Sequence, residues 1–249
     1  MDETSTIVEL VPGVRWLAEC YEVNGGHEHV SVYLVGEGPY VVVDTGSFHD
    51  RETLASAIEV ATGGADLDAI ILSHSDYPHA GNVRAFRDRW GEVELVASSG
   101  WPEAQGLPPE ARKCEIGGSM DVAGREWSFI DPPLADRSHT TWIFDHGSGV
   151  LFTADGFGSR HEPGECRLRS VDLPGNVPYE SIRRYHEETL PWLRYVDPEA
   201  LRSALSAILE EFDPSYVAPV HGHPIAREDL EEYVDRLLEA AEETAEGSK

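Results

Sequence analysis

Residues 69–82 read AIILSHSDYPHAGN, and the reading of this stretch decides the fold. Ala69, Ile70, Ile71 and Leu72 form a short run without a polar face, the pattern of a strand buried on both sides. From Asn82 the spacing turns helical and stays so through residue 90. His74, Asp76 and His79 therefore stand at the carboxyl end of a buried strand, where open α/β sheets gather their ligands. Ser75 and Asp76 also suit a helix cap. Imidazole and carboxylate crowded into one turn are nonetheless a donor set for a transition-metal ion.

Outward on the amino-terminal side, residues 6–10 and 14–21 alternate around Pro12-Gly13 as a hairpin. Residues 25–29, GGHEH, read as a flexible corner leading into VSVYLVG, and YVVVDTGS is a strand ending on Asp44. Asp50 is placed to cap a helix carrying Leu54, Ile58 and Val60, which Gly63-Gly64 stops. On the carboxyl-terminal side come a helix over 82–90, a strand over 93–97 and hairpin strands within 117–130. Crossovers of this length imply parallel pairing, and the hairpins make the sheet mixed. A second half supplies strands over 140–144, 150–153 and 216–220, and helices over 179–193, 198–212 and from Glu228. The expected class is α/β: a four-layer αβ/βα sandwich in which residues 1–249 form one domain.

The central stretch resembles the signature of the metallo-β-lactamase superfamily, His-x-His-x-Asp-His followed by Ala-Gly-Asn. In register on HAGN, His74 and His79 match. Asp76 stands at the second position, a carboxylate variant seen in flavodiiron proteins and oxygen-binding relatives, and Pro78 replaces the aspartate with a residue that has no ligand atom. VLFTADGFGSRH resembles the flavodiiron segment whose aspartate bridges two irons, making Asp155 the bridging candidate, and YVAPVHG resembles the strand that delivers the last histidine, His221. SIRRYHEETLP resembles a helical segment of the same family. The resemblance implies metal ligands at His74, Asp76, His79, Asp155 and His221, catalytic roles for Asp76 and Asp155, and a bracing role for Asp44 through hydrogen bonds. For the third histidine three readings stay open: Asp136 replaces it, His139 of the DRSHTT loop reaches its place, or the position is lost. His27 and His29, in the loop that overhangs the family's site, and His161 and His223 beside ligand positions are replacement ligands, proton donors or surface residues.

The implied cofactor is zinc or iron, one ion or a substoichiometric amount, with no flavin, because no flavodoxin segment follows. Four functions compete. The leading one is a hydrolase with a reduced metal site, acting on an ester, thioester or phosphodiester. The others are an RNA-cleaving nuclease, a di-iron oxygen-binding protein and a non-catalytic scaffold.

Composition bears on partners. With 46 acidic residues against 19 lysines and arginines the net charge is −27, and no basic cluster offers a nucleic-acid footprint. Such a surface repels itself in dilute buffer, and either a salt-rich, halophilic interior or avoidance of polyanions accounts for it. The amino terminus lacks a signal peptide and no run is long enough to span a bilayer, so a cytoplasmic location without membrane contact is expected. The expected partners are a small-molecule or nucleic-acid substrate and a second copy in a homodimer. Cys20, Cys114 and Cys166 are widely spaced and odd in number, and read as reduced thiols.

Overall fold

Thirteen strands form two mixed sheets, in a computed structural model that describes residues 7–23, 26–98 and 108–246. The first sheet runs in chain order through β1 (Ile7–Val11), β2 (Val14–Val23), β3 (Gly26–Val35), β4 (Val41–Val43), β5 (Ala69–Leu72), β6 (Glu94–Ser98) and β7 (Arg112–Cys114). Strands β1 to β4 pair antiparallel, and β4 to β7 pair parallel. The second sheet has β8 (Ser119–Val122) at one edge, then β9 (Arg125–Ile130), β10 (Trp142–Asp145), β11 (Val150–Phe152), β12 (Tyr216–Ala218) and β13 (Ile225–Ala226).

Burial arranges these into four layers. Trp16, Tyr33, Val43 and Ile71 of the first sheet share a core with Trp127, Phe129, Ile143 and Phe152 of the second, so the two sheets pack face to face. The outer face of the first sheet, through Leu17, Val32, Ile70 and Leu95, meets Leu54 and Ile58 of α1 (Arg51–Thr62) and Phe86 and Trp90 of α2 (Val83–Trp90). The outer face of the second, through Trp142, Leu151 and Val217, meets α3 (Tyr179–Thr189), α4 (Pro198–Phe212) and α5 (Arg227–Glu246). Because side chains alternate along a strand, each buried strand feeds both cores, which is why AIIL carries no polar face.

Three local expectations need correction. Residues 26–29 are not a corner: β3 begins at Gly26 and pairs with β2 through Glu22 opposite His27 and Cys20 opposite His29. Asp50 occupies the cap position of α1 without a side-chain cap bond, because a 3-10 turn over Phe48–Asp50 precedes the helix and Ser47 caps that turn from His49 N. Cys20 and Cys166 are not separate thiols: they are joined as a disulfide, their Cα atoms 6.1 Å apart across 146 residues, while the buried Cys114 donates from Sγ to Ala97 O at 3.2 Å. Folding, not spacing, brings that pair together. Among the described residues no helix is long and apolar enough to cross a membrane.

Candidate metal centre

The loop after β4 and the loop after β5 are locked together before any ligand is considered. Gly81 approaches so closely that a Cβ there would lie 2.6 Å from Gly46 O, so the Ala-Gly-Asn turn seats directly on Asp44-Thr45-Gly46. Asn82 is fully buried and donates from Nδ2 to Thr45 O and Ser47 O, both at 2.8 Å. Its role is to staple two loops, which helical periodicity alone could not reveal.

Asp44 sits at the centre of this junction. It is buried, accepts from Ser73 N and Ser73 Oγ at 2.8 Å each, and accepts from His79 Nδ1 at 2.9 Å. With Nδ1 engaged, His79 turns Nε2 toward Asp155 Oδ2, 3.6 Å away. His221 follows the same logic from the second sheet: Nδ1 donates to His29 O at 2.7 Å, and Nε2 lies 3.2 Å from Asp155 Oδ1. His74 Nε2 completes the approach, 3.4 Å from Asp155 Oδ2. Outer partners that fix the ring tautomer in this way are the usual support of metal-binding histidines.

Asp155 is delivered by the loop after β11, where Ala154 (φ 50°) and Phe157 (φ 62°) take left-handed backbone conformations. Such residues cost about 1 kcal/mol or more and persist where neighbours over-determine them. Here Tyr185 Oη donates to Asp155 O at 3.0 Å and Tyr233 Oη to Gly158 O at 2.7 Å. Gly158 is obligatory, because a Cβ would run into the Tyr185 ring and come within 2.6 Å of His221 O.

Charge in this pocket is finely divided. Burial, assisted by the neighbouring His79, pushes His74 down to about 3. Burial also opposes charge on His79, yet the Asp155 and Asp44 carboxylates outweigh it and raise that group to about 10. Asp155 loses solvent but is held well below the carboxylate range by His79 and His221. Asp136 is raised to about 6, first by burial and then by Asp155. The carboxylates around His79 thus favour a positive charge at the place where a metal ion would supply it.

The residues fit such an ion. Asp155 Oδ2 is buried without a hydrogen-bond partner while two Nε2 atoms face it, and His74, His79 and Asp155 form one convergent group of potential ligands. The separations of 3.2–3.6 Å from Asp155 are close to the roughly 3.0–3.4 Å between ligand atoms around an ion with bonds near 2.0–2.1 Å. Imidazole and carboxylate suit zinc or iron.

On the other side of His74 the picture changes. His74, Asp76 and Asp136 also approach one another, with His74 Nε2 3.8 Å from Asp136 Oδ2. Arg137, however, donates to Asp76 and lies 3.4 Å from Asp136. Of the three readings of the DRSHTT loop, the carboxylate of Asp136 is the group that reaches this side, held by Thr140 Oγ1 at 2.9 Å. The His139 ring lies 6.2 Å from that of His74, centre to centre. Arg137 was not singled out from the sequence, since an arginine beside an aspartate in a loop carries no signal of its target.

His27, His29, His161 and His223 do not join this group through their side chains. They gather with Cys20 and Cys166 on the neighbouring side of β3, touching the centre through the His29 carbonyl.

Comparison with known proteins agrees with the fold. A diflavin flavoprotein of Thermosynechococcus vestitus is 25% identical over 236 residues, covering 92% of this chain, but the chain spans only 39% of that protein's length. A hydroxyacylglutathione hydrolase of Stenotrophomonas maltophilia is 26% identical over 225 residues, covering 79% of this chain and 83% of its own length. The rubredoxin oxygen:oxidoreductase of Desulfovibrio gigas superposes with a TM-score of 0.77 at 16% identity, over 95% of this chain and 61% of that one, and so shares the fold. Residues 25–200 match the model of the metallo-beta-lactamase superfamily, and the chain belongs to that superfamily.

Proposed function

We propose that this chain is a metal-dependent hydrolase whose working ion is held by His79, His221 and Asp155, with His74 at its edge, and that it cleaves an ester or thioester. The observation that carries this reading is Arg137. Its guanidinium already neutralises Asp76 and Asp136, the carboxylates on the side where a second ion would need them. Pro78 removes a further ligand. One well-supported ion is therefore the reading that the donor set favours.

When bound, an ion of this class polarises a carbonyl and brings a water's pKa toward about 7. The chain's own contributions are specific. Asp44 and the His29 carbonyl hold His79 and His221 in the tautomer with Nε2 turned inward. Asp155 bridges the three imidazoles through both oxygens. Asp136, 3.8 Å from His74 Nε2 and anchored by Thr140, is the carboxylate positioned to receive and return a proton. The hydrolase among the relatives supports acyl chemistry because the match runs along most of both chains. No flavin is required for this reaction.

A second reading is a di-iron oxygen-binding protein. It is favoured by the split of Asp155, whose Oδ1 meets His221 while Oδ2 meets His74 and His79, a geometry suited to a bridge between two ions. The test is metal analysis of protein prepared without chelators, followed by a panel of esters, thioesters and phosphodiesters, RNA included, after loading with zinc, manganese or iron. About one ion per chain and metal-dependent ester or thioester turnover, abolished by Asp155→Asn, is the expected result. Two irons with the Mössbauer signature of a coupled pair, and no hydrolysis, would replace the first reading by the second.

A further inference from the structure

We propose that Cys20, His27, His161 and Cys166 form a second metal site, a closed Cys2His2 centre for zinc that shares no ligand with the centre around Asp155. The four side chains come from three places in the chain. Cys20 lies on β2, His27 on the paired strand β3, and His161 and Cys166 flank the turn His-Glu-Pro-Gly-Glu-Cys.

The backbone builds the cluster independently of its side chains. His27 and His161 form an isolated antiparallel bridge, His27 N donating to His161 O at 2.8 Å and His161 N to His27 O at 3.0 Å. The turn to Cys166 is closed by Glu165 N on Glu162 O and by Glu162 N on the Glu165 carboxylate. His29 Nε2 then donates to Cys166 O at 2.9 Å, tying the far end of the turn to β3. Two imidazoles are thus fixed side by side over two sulfurs by contacts that make no use of an S–S bond.

The sulfur–nitrogen distances approach those around a small tetrahedral ion, and reduction frees the two sulfurs to separate to the roughly 3.8 Å that bonds of about 2.3 Å require. Cys20 Sγ lies 3.2 Å from His27 Nδ1 and 3.2 Å from His161 Nε2, and Cys166 Sγ lies 3.9 Å from His27 Nδ1. Bonds of about 2.3 Å to sulfur and 2.0–2.1 Å to nitrogen place sulfur and nitrogen roughly 3.5 Å apart around a tetrahedron. All four ligand atoms lie within 4.8 Å of one another. The His161 ring is buried and stacked on His29 with centres 3.9 Å apart, so its Nε2 is aimed and cannot swing away. Two thiolates balance the charge of a dication, which lowers the cost of enclosing them, and thiolate with imidazole selects zinc over harder ions.

The disulfide is the competing state of the same residues. A sulfur bonded to sulfur is not a thiolate, so the site holds either the S–S bond or the metal. A phosphine reductant converts the disulfide to two thiols, itself becoming the phosphine oxide with oxygen taken from water, and makes the metal-binding form.

Cobalt(II) tests this without reference to catalysis, because only a site with thiolate ligands gives a sulfur-to-cobalt charge-transfer band. Reduced, metal-free protein titrated with cobalt should develop that band, and zinc should quench it at about one equivalent beyond the demand of the other centre. Zinc should also protect two of the three thiols from alkylation. Cys166→Ser should roughly halve the band's intensity, and His27→Ala, which leaves both thiols intact, should weaken cobalt binding at least tenfold. Far-UV circular dichroism establishes that each variant is folded. Absence of the band in the folded, reduced, unmodified protein overturns the proposal without recourse to any variant. So does a band that survives in the double variant Cys20→Ser/Cys166→Ser, since it would then arise from Cys114.

Discussion

Arg137 directs two donors at a single oxygen of Asp76: Nε at 2.8 Å and Nη2 at 2.7 Å from Oδ2. This is an arginine occupying, in charge, the place of an ion. Its side chain is 56% exposed, so the pair contributes at most about 1 kcal/mol to folding, and its interest lies in what it blocks.

Arg137→Ala should therefore leave the unfolding temperature nearly unchanged and free Asp76 and Asp136 for a cation. Metal content measured after equilibration with zinc or iron should rise from about one toward two ions per chain at this centre. An unchanged content would show that Pro78 alone, or the single histidine on that side, limits the second ion.

Asp44→Ala removes the acceptor of two Ser73 bonds and of the His79 ring together. Breaking a buried charged pair of this kind costs about 3–5 kcal/mol. Loss of the outer partner should also weaken metal binding about 10- to 100-fold. Denaturant melts and competitive metal titration measure the two effects. A stable variant with undiminished affinity would deny Asp44 any bracing role.

Gly158→Ala forces a methyl group against the Tyr185 ring and the His221 carbonyl. Overpacking alone should destabilise by about 1–3 kcal/mol. Because the displaced backbone carries His221, metal affinity should fall as well, whereas a crowding change elsewhere in the core would spare it.

His186 offers a pH test remote from either cluster. It is buried on α3, donates from Nδ1 to Ile182 O at 2.8 Å, and burial lowers it to about 4. Unfolded histidine titrates near 6.5, so the unfolded chain takes up a proton first as pH falls. The associated stability is complete above about pH 6.5 and is lost on going down to about pH 4, by roughly 3 kcal/mol. His186→Phe should flatten that part of the stability–pH curve. A curve of unchanged depth would assign the acid sensitivity to other groups.

A net charge of −27 makes stability depend on how far salt screens the repulsion among carboxylates. The unfolding temperature should climb from low to molar salt, since the Debye length shrinks from about 30 Å at 0.01 M to about 3 Å at 1 M. A flat response would remove the case for salt adaptation.

What could be read before folding follows from local physics. Apolar runs such as AIIL and VVV mark strands buried on both faces, glycine and proline mark the turns, and the stripe of Leu230, Tyr233 and Leu237 marks a helix facing a core. Strand ends carrying histidine and aspartate pointed to one edge of the sandwich, and His74, His79, Asp155 and His221 do meet there. The layered fold was legible for the same reason: each element advertises its buried face through its own periodicity.

The remainder depended on contacts between residues far apart in the chain. Nothing local to Arg137 names Asp76, 61 residues away, as its partner. Nothing in the spacing of Cys20 and Cys166 distinguishes isolated thiols from a pair; the β2–β3 pairing, the bridge of His27 to His161 and the His29 bond to Cys166 O bring them together. That Asp136 stands 3.8 Å from His74 Nε2 likewise depended on how the loop packs, with Thr140 turned onto Asp136. Sequence by itself determined the kinds of donor and the strand ends that carry them, because those are properties of single segments. Which donors converge, and which are neutralised by an arginine, was decided by tertiary structure, because electrostatic and ligand contacts act over a few ångströms of space and are indifferent to distance along the chain.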